Sequence, residues 1–80
     1  MTYPRLTHKS GGVLRSFALE RSKVEHQMVA EALDFGVDGP DRWHVDWLAG
    51  GAIDRAAFAS LDEAVSWVRR MVGERMGVAL

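Results

Sequence analysis

Apolar positions recur along this chain in two rhythms. From Arg42 to Leu48 they alternate: Trp43, Val45 and Trp47 fall on one side, His44 and Asp46 on the other. That is the period-two pattern of a half-buried strand. Ala52 to Ala59 answers it across Gly50-Gly51, a dipeptide that tolerates the positive φ of a tight hairpin turn. A two-residue turn there pairs Leu48 with Ile53, Asp46 with Arg55, Val45 with Ala56 and Trp43 with Phe58. This register gathers Trp43, Val45, Trp47, Ala56 and Phe58 on one face and sets opposite charges across from each other. Tyr3 to Lys9 and Val13 to Leu19 flank Gly11-Gly12 and predict a second, less regular hairpin, with Pro4 suited to an edge strand.

The other rhythm is helical. Ser22 with Glu25, and Ser60 with Glu63, both fit the capping box S-x-x-E. In it the Ser oxygen accepts from one free amide and the Glu reaches back to another. The first box opens a run from about Lys23 to Phe35. Val24, Met28, Val29, Ala32, Leu33 and Phe35 recur there at helical spacing and cover about half the cylinder, and Gly36 offers a stop. The second box opens a run from about Leu61 to Met76. Leu61, Ala64, Val65, Val68, Met71 and Val72 make a narrower stripe, and Gly77 ends it. Val65, Val68 and Val72 are therefore expected to be buried.

The pattern predicts an α+β fold in the order ββαββα. A small antiparallel sheet of three to four strands would carry two helices on one face. The apolar arc of the first helix is too wide for one contact, which leaves a face for a second neighbour. Residues 1–80 read as a single domain. Gly-Gly, Phe-Ala and the capping box recur in order in 1–39 and 40–80, a weak ββα likeness with too few identities to mark a duplication.

Composition narrows the function classes. Eighty residues support one small core and leave little interior for a deep pocket. With Met1 at its start the chain reads as a complete product. There is no Cys, so disulfides, thiolate zinc sites and cysteine nucleophiles are excluded, and a cytoplasmic location is the natural expectation. No stretch approaches a membrane span, and the N-terminus lacks a signal-type apolar run. Ten basic and eleven acidic residues are interspersed, without the basic excess of a typical nucleic-acid binder. Asn is absent and eight of the ten basic residues are Arg, a composition that suits a GC-rich bacterium or its phage.

Candidate chemistry is sparse. His44 and Asp46, two apart on a strand, share a face and could supply two ligands of a metal triad. A third would have to be His8 or His26, and a solvated strand face is the simpler reading. No metal or cofactor is therefore expected. Ser22 and Ser60 are accounted for as caps, and neither these nor Ser10, Ser16 and Ser66 lie in a nucleophile elbow. The Gly pairs match no phosphate-binding loop. Arg69, Arg70 and Arg75 give the second helix a basic end, which complements its dipole and could also contact an anion or nucleic acid. Trp67 projects beside the apolar stripe, next to Glu63 and Arg70. An aromatic with charges at such a margin is the composition of an interface anchor, or of a cover for the sheet edge. The expected function is a non-enzymatic module binding a larger protein, in one form a bacterial or phage inhibitor or anti-defence protein. A nucleic-acid binder and a small enzyme at His44 and Asp46 are the alternatives, and homo-oligomerisation stays open.

Overall fold

The computed structural model describes residues 5–11, 14–50 and 54–78, with side chains from residue 15 onward. Five strands succeed one another: β1 (Arg5–Gly11), β2 (Leu14–Glu20), β3 (His26–Asp34), β4 (Trp43–Trp47) and β5 (Asp54–Phe58). Each pairs antiparallel with the next, so the sheet is a meander in chain order. One helix, α1 (Leu61–Met71), continues into a π-helical turn (Val72–Met76) and covers one face of the sheet.

The order is thus βββββα. The expected helix from Lys23 to Phe35 does not form, and β3 takes its place between β2 and β4. The reason lies in a β-bulge. Phe17 pairs with Ala30 but Ala18 pairs with Met28, so Val29 is one residue extra on β3. An extra residue shifts the alternation by one position. Val29, Ala30 and Ala32 are buried, whereas Met28 and Leu33 are on the other, uncovered face. Two alternating halves joined out of phase give apolar positions three and four apart, which imitates a helix. The overly wide arc is the sum of two strand faces. Leu48 caps the irregularity by donating its amide to the Val29 carbonyl at 2.8 Å.

The second hairpin has the expected register: Trp43 opposite Phe58, Val45 opposite Ala56 and Asp46 opposite Arg55. Arg55 and Asp46 form the cross-strand ion pair, at 2.8 Å. Gly50 has φ of 93°, as a tight turn requires. Gly51 and the Leu48–Ile53 pairing lie outside the described residues. In the first hairpin Gly11 is the last residue of β1, opposite Leu14. Gly11 thus belongs to β1 and not to the expected Gly11-Gly12 turn; Gly12 and Pro4 lie outside the described residues.

The second helix is where the sequence predicts it. Ser60 is the N-cap, its side chain accepting from the Glu63 amide at 3.2 Å, while Glu63 accepts from the Ala59 amide at 3.0 Å. Asp62 and Glu63 stand in the first turn and Arg69 and Arg70 in the last, each matching the helix dipole. Gly77, with φ of 65°, ends it. Val68, Val72 and Ala64 are fully buried, Met71 is buried beside them, and Val65 is half-buried against the same core. They meet Trp43, Val45 and Trp47 from β4 and Phe17 and Leu19 from β2. The second half of the chain is therefore ββα, while the first is βββ.

Candidate binding surfaces

The uncovered face of the sheet carries His44 and Asp46, as alternation requires. Asp46 lies between Glu31 on β3 and Arg55 on β5, in one row across three strands. Its carboxylate is paired with Arg55. The His44 ring packs on Phe35, with centroids 4.4 Å apart. A shallow basin lined by Glu31, Leu33, Phe35, His44, Asp46 and Arg55 results. Among the described residues no group of three His, Cys, Asp or Glu could hold a metal ion. The three histidines do not converge. His8 is opposite Phe17 on β1, three strands from β4 and so roughly 14 Å away. His26 starts β3 opposite Glu20, seven residues and about 23 Å along the strand from Leu33, the neighbour of His44.

The flank of α1 beside β5 is the second surface. Trp67 is half-buried, its ring tilted against Phe58 with centroids 5.8 Å apart. A shallow, open groove here is lined by Ala57, Phe58, Glu63, Ser66, Trp67 and Arg70. The three residues singled out by their position on the helix thus share one groove with the edge of β5. Arg69 and Arg70 are exposed, but Arg75 is ion-paired with Asp54 on β5. The predicted basic end is divided: Arg70 borders the groove and Arg75 is turned to the sheet.

Two arrangements were not visible in the sequence. The β3–β4 loop is tied by Arg42, which donates to Asp34 Oδ1 at 2.9 Å and Oδ2 at 3.2 Å and to Asp38 at 2.7 Å. The Arg42 hydrogen bond, with the Gly36 amide at 2.8 Å, holds the Asp34 carboxyl below its ordinary range, and the same contact raises Arg42. A cleft at the opposite end is lined by Arg21, Gln27, Trp47 and Arg75. Both of its cations are engaged, Arg21 with Gln27 at 2.6 Å and Arg75 with Asp54. Asp34 and Arg42 are eight apart with two Gly between them, and only a loop pattern hinted at their meeting.

No helix among the described residues is long and apolar enough to cross a membrane. No family model, no curated protein and no solved structure matches the chain.

Proposed function

We propose that this protein is a non-enzymatic binding module that docks on a larger protein through the α1–β5 flank, with Trp67 as anchor and Arg70 and Glu63 beside it. The observation that carries the reading is the groove in which these three residues meet Phe58 and the β5 edge. A Trp lining such a groove offers large contact area, while flanking charges set orientation and association rate. Inhibition of a host system, in a bacterium or its phage, is the form of this activity that size and composition favour. Nucleic-acid binding through Arg69, Arg70 and Arg75 is weaker: Arg75 is already paired, and Asp62, Glu63 and Glu74 dilute the field.

The test is Trp67→Ala, measured for melting and for capture of partners from a lysate of the source organism, beside a Leu33→Ser variant on the uncovered sheet face. Truncating a central interface Trp costs about 2 kcal/mol or more, roughly thirtyfold in affinity. Capture lost by Trp67→Ala with folding intact, and kept by Leu33→Ser, is the expected result. Lowered melting with unchanged affinity makes Trp67 a cover for Phe58 and refutes the reading. Capture that collapses with salt, as binding through several phosphates with release of their counterions requires, favours the nucleic-acid alternative.

A further inference from the structure

The edge of β5 with which no described strand pairs forms one wall of the α1 groove, and its backbone is turned outward there. The phase of the pairing is set by two hydrogen bonds. Phe35 donates its amide to Arg42, and Leu48 donates to Val29. Both fit the β3–β4 register, so the peptide groups of His44 and Asp46 point to β3. Those of Trp43, Val45 and Trp47 then point to β5, and on β5 it is Asp54, Ala56 and Phe58 that answer. Arg55, Ala57 and Ala59 direct their peptide groups away from the sheet. The Ala59 amide is taken by Glu63. Among the described residues no loop, turn or cap takes the amides and carbonyls of Arg55 and Ala57, which the pairing phase turns outward. Two features temper this edge, the five-residue length of β5 and the charge of Arg55, which pairs with Asp46 across the strand. Ala57 adds no bulk over it.

Resting on the α1–β5 reading, we infer that the module binds its partner by strand addition: an extended segment pairs antiparallel with β5 and fills the groove. This is a recurrent mode of peptide recognition, in which backbone bonds give affinity and alternate side chains give specificity. The charges of the groove fix the chemistry and direction of the segment. The helix N-terminal end carries Asp62 and Glu63 beside Ala59, and Arg70 lies further along. Asp62 and Arg70 are eight residues apart on the helix, about 12 Å. Four residues of strand span about 13 Å. An antiparallel segment therefore sets a basic residue near its N-terminal end against Asp62 and an acidic residue four positions later against Arg70, opposite Asp54, whose own charge is taken by Arg75. The residue midway, opposite Ala56, turns its side chain to the helix side, toward Phe58 and Trp67, and should be apolar. The two between them, opposite Ala57 and Arg55, exchange hydrogen bonds with β5.

A capped peptide with the core Lys-Thr-Val-Thr-Glu carries this pattern, and amide chemical shifts of the labelled protein report its binding up to millimolar concentrations. Saturable shifts at Arg55, Ala57 and the Trp67 indole are expected. N-methylation of both threonine amides, or exchange of the Lys and Glu, should weaken binding about tenfold or more. Ala57→Pro should abolish it while preserving the melting temperature, because the Ala57 amide faces outward and is not used by β4. No saturable shift, or equal binding by the N-methylated or charge-exchanged peptide, overturns strand addition. The two ideas separate in partner capture. Loss with Trp67→Ala but not with Ala57→Pro would leave the flank as the interface and refute the strand mode, and loss with both supports it. If Ala57→Pro fails to fold, the N-methylated peptide decides alone.

Discussion

Ser22-x-x-Glu25 and Ser60-x-x-Glu63 are the same motif in two structures. At Ser60 the side chain accepts from the Glu63 amide and opens α1 with the π-helical turn that continues it. At Ser22 it accepts from the Glu25 amide at 3.1 Å and from the Val24 amide at 3.3 Å, and the chain turns back as β3. Arg21 and Ser22 both donate to the Glu25 carbonyl, which closes the turn. The two serines satisfy the same local need, for a hydroxyl can serve a turn as well as a helix start. The segments downstream of the two caps separate them. After Ser60 one stripe of buried residues faces a finished sheet. After Ser22 the segment lies between β2 and β4 and pairs its backbone on both sides. Tertiary pairing overrides the local signal at the first site and agrees with it at the second.

The largest difference between the two segments is expected at Val68. Placing an unpaired carboxylate there, by Val68→Asp, should cost about 4 kcal/mol or more and unfold so small a domain. Met28→Asp, on the uncovered face of β3, should leave it folded. Circular dichroism checks both, and wild-type melting of Val68→Asp would show that the stripe is not core.

The two caps come next. Ser60→Ala should lower stability by about 1 kcal/mol, as loss of an N-cap does. Ser22→Ala removes only exposed turn bonds and should cost less, about 0.5 kcal/mol. Denaturant titration of the pair gives the order, and a reversed order would contradict the assignment of the Ser22 site as a turn.

A smaller effect is expected at the far end of β3. The Asp34 carboxyl is held below its ordinary value by Arg42 and Gly36. Its contribution is therefore fully present above an unfolded carboxylate value of about 3.9 and is lost as pH falls through the lower folded one. Asp34→Asn should be less stable than the parent at neutral pH, and the gap should close in acid. Melting curves from neutral to acidic pH measure it, and a gap that widens in acid would have the wrong sign. The smallest effect is at His44. A chelator of divalent ions should leave melting unchanged, and His44→Ala should cost only the contact with Phe35. A large fall on chelation would revive a metal at His44 and Asp46.

The second half of the molecule was legible because its residues obey one period each. Trp43, Val45 and Trp47 keep strict alternation, and Ala64, Val68 and Val72 keep helical spacing, so register, cap and core can be read from them. The first half was not, because the bulge at Val29 breaks the period where β3 enters the core. Ala30 and Ala32, good helix formers, remove the β-branched signal that would have corrected the reading. Of the candidate sites, the meeting of Trp67, Arg70 and Glu63 could be read from helical geometry alone. The edge of β5 could not, since its exposure depends on which strands come to lie beside it.

The outward phase of the β5 edge depends on β3 being a strand paired in phase with β4. The most direct measurement is a set of nuclear Overhauser contacts across the pair. Ala32 and Val45 face each other in a pair without mutual hydrogen bonds, where Cα atoms approach to about 4.5 Å. A strong contact between their α-protons, and another between Ala30 and Trp47, is predicted. Contacts from each residue to the third one on through Gln27 to Asp34, with helical carbon shifts, would restore the helix and contradict the account.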